Sequence, residues 1–405
     1  MNSKRKYIVI LGDGMSDYKD KDGKTPLMYA PKPEIDYMAR RGEAGLCRTV
    51  PKGMKAGSDN SNLSVLGYDP LIYYTGRSPL EAVSMGVKLD GGDVSYRCNL
   101  VALSDGEPYQ NKKMVDYSGG EISSADAKTL IDYLNANMKF PPKIELHNGV
   151  SYRHCLVVRG GNLGAELTPP HDISGKCVAE YLPEGENAAV FLELMKKSYE
   201  LLKNHPLNLE REKRGVNPAN SMWFWGEGRK PALPLFKDKC HKSGAMISAV
   251  DLLNGIAIAA GMKTYKVEGA TGNLDTNFEG KAAAAFQALK DGNDFVYVHV
   301  EAADECGHRG EKENKIKAIE WLDSRLVKPL VEKLKAAGYE YSMLVMPDHA
   351  TPLEKKTHVP DPVPYVLYRS FDEKKGVSCY NEDTCAATGV IEEQGFKLIE
   401  RLFDK

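Results

Sequence analysis

No stretch of this chain approaches the roughly 20 consecutive apolar residues that a membrane span requires. A charge excess is missing too. There are 54 Lys and Arg against 56 Asp and Glu, a formal charge of -2, so bulk electrostatics give no reason to expect nucleic acid or an anionic membrane as partner. The cysteines (Cys47, Cys98, Cys155, Cys177, Cys240, Cys306, Cys379, Cys385) form no C-x-x-C pair and read as reduced thiols. Gly12-x-Gly14 lacks the third glycine of a dinucleotide fingerprint, and no G-x-x-x-x-G-K-[ST] phosphate loop occurs. Internal repeats and low-complexity tracts are absent. The basic start, Met1 to Lys6, precedes an apolar run that stops at Gly12 and Asp13, shorter and more polar than a signal peptide's. The expected location is cytoplasmic.

At 405 residues the chain is too long for one ordinary core, so two domains are expected. Hydrophobic residues make up 42% and charged residues 27%, a normal soluble globular balance. From about residue 221 strands and helices alternate. Strand patterns at 246–250 and 363–368 and helix patterns at 252–260 and 279–290 accompany a long charged helix over 313–337, broken near Pro329. An amphipathic helix over 390–403 closes the chain. This rhythm predicts an α/β fold with a doubly wound, mainly parallel sheet. Residues 86–220 break it, with strand-like runs at 94–103, 143–146 and 152–158 and a helix over 187–203. That pattern predicts an inserted α+β domain within a discontinuous core of 1–85 and 221–405. The aromatic cluster Trp223, Phe224 and Trp225 is expected to pack the hinge between them.

Three short apolar runs end in metal-ligand side chains. Tyr7 to Leu11 leads through Gly12 to Asp13, Phe295 to Val300 leads to Asp304 and His308, and Met343 to Met346 leads to Asp348 and His349. His358 follows nine residues after His349. Strand ends are where open α/β sheets build their sites, and Asp and His suit divalent transition metals. Any one of these reads as a turn or cap residue; six together are enough for two ions. Asp304 and His308, four apart, share a face if that stretch is helical. Cys306 lies between them, but its neighbours already supply harder ligands.

A hydroxyl between two ions can attack phosphorus. Ser58, after Gly57 at an expected helix N-terminus, suits this role because backbone N–H groups there receive an anion; Ser61 and Ser64 remain rivals. Arg97, Arg153 and Arg159 lie in or beside strand-like segments, where a fixed guanidinium clamps phosphate or carboxylate. A salt-bridge role is equally open for each. His171 and Asp172 form a polar turn suited to substrate hydroxyls, and Lys242 near a strand start is the weakest candidate.

The segments GDGMSD, GSDNSNLSVLGYDP, DVSYRCNL, WGEGRKPALP, GATGNLDTNFEGKA, HVEAADECGHRG, PDHATP and THVPDPVP resemble the alkaline phosphatase superfamily of two-metal phosphoryl-transfer enzymes. Within it they resemble the cofactor-independent phosphoglycerate mutases of the archaeal type. The resemblance implies an alkaline-phosphatase-like core. It implies that Asp13, Ser58, Asp348 and His349 surround one ion and Asp304, His308 and His358 the other. It favours Ser58 over Ser61, and manganese, with zinc, cobalt or magnesium as substitutes.

The implied reaction interconverts 3-phosphoglycerate and 2-phosphoglycerate through phosphoserine, with insertion arginines holding the carboxylate and closure of the insertion excluding water. The partner is then a small phosphorylated metabolite, with no nucleic acid or membrane; monomer and homo-oligomer stay open. Alternatives are a homoserine kinase-type phosphotransferase, which this branch is proposed to include, a metal-dependent phosphatase or phosphopentomutase, and a non-catalytic metal-binding scaffold. An intact Ser58 with all six ligands argues against the scaffold.

Overall fold

The computed structural model describes residues 5–106, 108–161 and 164–403. It divides into two compact units, one formed by the chain up to Tyr74 together with everything from Ala232, the other by Thr75–Pro231. The second unit is thus wider than residues 86–220.

The strands of the first unit are β1 (Arg5–Gly12), β2 (Glu43–Cys47), β3 (Gly244–Ile247), β4 (Lys263–Thr264), β5 (Phe295–Val300), β6 (Glu340–Met346), β7 (Val363–Arg369) and β8 (Ile391–Glu392). They form one sheet in the order β4-β3-β5-β1-β6-β7-β2-β8. From β4 to β6 the strands are parallel; β7 alone runs against its neighbours, β6 and β2. Helices relevant to the site are α1 (Pro33–Arg41), α2 (Ser58–Val65), α3 (Phe278–Lys290), α4 (Ala302–Arg309), α5 (Lys312–Trp321) and α6 (Lys328–Ala336).

Ile8, Val9, Ile10 and Leu11 are completely buried, as expected for a central strand covered on both faces. Each contributes about 1.5–3 kcal/mol of burial. Ile8 and Ile10 share a cluster with Ala282 and Ala285 of α3 and Leu330 of α6. On the other face Phe295 stacks on Phe236 at 5.0 Å and meets Phe403 at 5.6 Å.

Two expected helices come out differently. The 313–337 pattern is α5 and α6 joined by a widened π-helical turn, Leu322–Val327. Pro329 lies just beyond it and has no N–H to give the preceding turn, which relieves the mismatch by widening. The helix expected over 390–403 is only Leu398–Leu402. Upstream, Ile391 pairs with Leu46 of β2. Gly395 is packed so closely that a Cβ there would lie 2.5 Å from the Arg48 carbonyl oxygen.

The second unit is an antiparallel sheet around Val94–Leu103, which pairs with Arg153–Val158 and Ser221–Arg229. Its core includes Leu130, Ile131, Phe191 and Leu194 from the helices Ser124–Asn137 and Ala188–Leu202. Trp223 and Phe224 belong to this core rather than to a hinge. Strand pairing fixes their place: Trp223 faces Asn99 and Phe224 faces Cys98. Among the described residues no helix is long and apolar enough to cross a membrane.

Candidate metal centre

The carboxyl ends of β5, β1 and β6 lie level, because Gly12 pairs with Val300 and Leu11 with Met346. The residues that follow therefore converge above the sheet. Asp13, Asp348 and His349 are fully buried there, and Asp304 is 4% exposed. The first turn of α4 carries Asp304, and His308 follows on the same face, Nε2 3.2 Å from Asp304 Oδ2. His358 brings its Nε2 to 2.9 Å from His308 Nε2 and 3.4 Å from Asp304 Oδ1. His308 Nδ1 lies 3.0 Å from the Lys356 carbonyl oxygen. That carbonyl fixes the ring through Nδ1 and turns Nε2 toward the cluster.

Donor atoms of Asp13, Asp348 and His349 lie within 4.8 Å of one another, as do those of Asp304, His349 and His358. His349 thus reaches both groups, whereas the family resemblance implied that it belongs to one. Gly14 makes the convergence possible. Its φ is +61°, and a Cβ there would sit 2.5 Å from Asp304 Oδ1, so the turn admits only glycine without displacement.

The first residue of α2 is Ser58, its Oγ 3.2 Å from His349 Nε2. The rival Ser61 is fully buried; its hydroxyl lies 2.8 Å from the Gly57 carbonyl oxygen and 2.9 Å from Asp348 Oδ2. Ser64 lines a groove with Arg48 and Gly395 instead. Ser58 alone of the three is partly accessible.

Burial raises the Asp13 carboxyl well above its ordinary range, and the Asp348 and Asp304 charges push it further. Burial pushes Asp304 the same way, but hydrogen bonds from His308 and His358 hold it well below the usual range. Three buried carboxylates in one cluster cannot all ionise without a compensating cation. Asp13 Oδ1 is buried with no hydrogen-bond partner, an expensive state that a cation would relieve. Carboxylate oxygens and imidazole nitrogens are a fitting donor set for divalent transition metals.

Three contributors escaped the sequence reading. Tyr297 Oη donates to Asn62 Oδ1 at 2.6 Å, and Asn62 Nδ2 donates to Asp348 Oδ2 at 2.8 Å. His299 Nε2 lies 2.8 Å from Asp13 Oδ2. The alternation of β5 held the signal: Phe295, Tyr297 and His299 share one face, growing more polar toward the strand's carboxyl end.

The remaining candidates lie elsewhere. Lys242 precedes β3 at the amino end of the sheet, 5.3 Å from the Tyr7 ring centre, so a site role at the carboxyl end is corrected. In the second unit, the Arg159 guanidinium is held by Glu145, Asp93 and the Lys88 carbonyl, a structural clamp. Arg97 is buried, 2.7 Å from Glu81 and stacked 3.9 Å from the Trp225 ring centre. Arg153 and Arg77 act electrostatically on the same Glu81, so three guanidiniums crowd one carboxylate. His171 meets Trp225 edge-on at 5.1 Å, and Asp172 lies 3.5 Å from His171.

A family model described as 2,3-bisphosphoglycerate-independent phosphoglycerate mutase matches residues 39–208. The chain is 49% identical over 404 residues to the probable 2,3-bisphosphoglycerate-independent phosphoglycerate mutase of Geobacter sulfurreducens, covering 99% of this chain and 100% of the relative. It is 51% identical over 369 residues to the enzyme of that name from Methanosarcina barkeri, covering 90% of each. Among solved structures, a Pyrococcus horikoshii protein superposes with a TM-score of 0.81 at 28% identity, covering 99% of this chain and 97% of that one. The cofactor-independent phosphoglycerate mutase of Thermoplasma acidophilum gives 0.64 at 26% identity, covering 98% and 99%.

Proposed function

The chain belongs to the 2,3-bisphosphoglycerate-independent phosphoglycerate mutase family, and from that membership we propose that Ser58 is the residue through which the phosphoryl group passes. As an isomerase of this family it interconverts 3-phosphoglycerate and 2-phosphoglycerate. The observation that carries the proposal is the contrast between the two nearest serines. Ser58 is partly accessible, and its Oγ lies beside the His349 ring nitrogen; Ser61 is buried, its Oγ committed to Gly57 and Asp348.

Ser58 Oγ attacks phosphorus, the bond to the 3-oxygen breaks, and phosphoserine and glycerate result. The serine proton is balanced by the one the departing oxygen takes up. The 2-hydroxyl of glycerate then takes the phosphoryl group back and restores Ser58. The N-terminus of α2, which Ser58 opens, would receive the transferring anion. Two divalent ions, held by Asp13, Asp348 and His349 and by Asp304, His308 and His358, would supply Lewis-acid stabilisation of the phosphoryl oxygens. Manganese is the first assignment, with zinc, cobalt or magnesium as substitutes.

Purified protein reconstituted with manganese should convert 3- to 2-phosphoglycerate and be indifferent to added 2,3-bisphosphoglycerate. Ser58→Ala should lose turnover by at least about a thousandfold while retaining its ions. Full activity in Ser58→Ala would transfer the role to Ser61. Phosphorylation of homoserine from ATP, without phosphoglycerate turnover, would refute the mutase assignment.

A further inference from the structure

A fully buried imidazole, His299, closes β5 one residue before its end. It ligates nothing in the assignment above, yet both of its nitrogens are engaged. Nδ1 lies 3.2 Å from Ser248 Oγ, and Nε2 lies 2.8 Å from Asp13 Oδ2. The direction of this relay follows from its far end. Ser248 Oγ accepts the Val250 N–H at 3.0 Å, so its own proton is available to His299 Nδ1. A ring that accepts at Nδ1 carries its proton on Nε2, aimed at Asp13 Oδ2. The other Asp13 oxygen, Oδ1, is the buried atom without a hydrogen-bond partner. Lys281 Nζ holds the His299 carbonyl oxygen at 2.8 Å, which fixes the backbone from which the ring projects.

We infer that the Ser248–His299 relay is a positioning device for Asp13: it occupies Oδ2, fixes the carboxylate's rotation, and presents Oδ1 to the cation. His299 is thus a positioning residue, acting through Asp13 rather than on substrate. The inference rests on the two-ion reading above. Hydrogen bonds of this kind orient metal-bound carboxylates, and their loss commonly weakens metal affinity about 10–100-fold.

The test is calorimetric titration of chelator-stripped protein with manganese, alongside thermal unfolding of the stripped forms. Wild type should take up two ions. In His299→Leu one binding class should weaken about 10–100-fold while the other stays at its wild-type affinity. His299→Gln, which keeps an N–H donor, should recover most of that loss. Ser248→Ala, a milder change if the leucine variant folds poorly, should weaken the same class by several-fold. Unchanged affinities in both His299→Leu and Ser248→Ala would overturn the positioning role. Equal weakening of both classes with a lowered unfolding temperature would overturn it too, by showing a general packing role. Wild-type protein that takes up no manganese would instead refute the two-ion reading on which it depends.

Discussion

Ser58 and Ser61 lie one turn apart on α2, and only their surroundings separate the proposed nucleophile from a hydroxyl committed to Gly57 and Asp348. A similar economy applies to Gly14. Its positive φ and the 2.5 Å approach of Asp304 Oδ1 predict that Gly14→Ala costs at least about 1–2 kcal/mol, read as a lowered urea midpoint, together with weakened metal uptake. At this scale the legible signal was a strand stopping at ligand-type residues: Asp13, Asp348 and His349 follow apolar runs by way of Gly12 and Pro347, and the structure brings the three together. The sequence was silent on His299, because a histidine inside an apolar run is indistinguishable from a core residue until β1 is laid beside β5. It misled at Lys242, because proximity to a strand does not say which end of the strand is meant. Arg159 likewise looked available until Asp93 and Glu145 were seen to hold it.

Among elements, the widened turn between α5 and α6 does more than accommodate Pro329. It directs Asp323 at the start of α1, where the carboxylate accepts the Glu34 N–H at 3.3 Å and the Ile35 N–H at 2.7 Å. The first residue of α1 is Pro33, and its N-cap, Lys32, makes no side-chain cap bond, so the cap is supplied by a distant element. Asp323→Ala should cost about 1–2 kcal/mol by uncapping α1, and Asp323→Asn, which keeps an acceptor, should cost less; denaturant unfolding separates the two. The sequence foresaw a break near Pro329 from the ring's missing N–H. It could not foresee the cap, a contact between residues 288 and 289 positions apart. The closing helix is shorter than its pattern for a related reason: residues 390–403 carry a helical hydrophobic pattern, but β2 offers Ile391 an open edge.

The two units of the molecule should fail under different insults. In the second, burial pushes His154 down to about 3, below the roughly 6.5 of an unfolded histidine. Between those values the unfolded chain binds the extra proton, so stability is whole above about pH 6.5 and declines as pH falls toward 3. His154→Gln should flatten that slope. In the first unit, chelation should lower the unfolding temperature, because Asp13, Asp304 and Asp348 then share a buried space without a counter-cation. Calorimetry at pH 5 and pH 7.5, with and without chelator, should assign each effect to its own transition. The discontinuity of the first unit also sets an order of events during synthesis. β1 emerges first, yet its partner Phe295 follows about 290 residues later, a delay of roughly 15–60 s at ordinary translation rates. Thr75–Pro231 can finish folding in that interval while β1, apolar from Tyr7 to Leu11, waits with both edges open. Fragments released before β5 should therefore aggregate through β1.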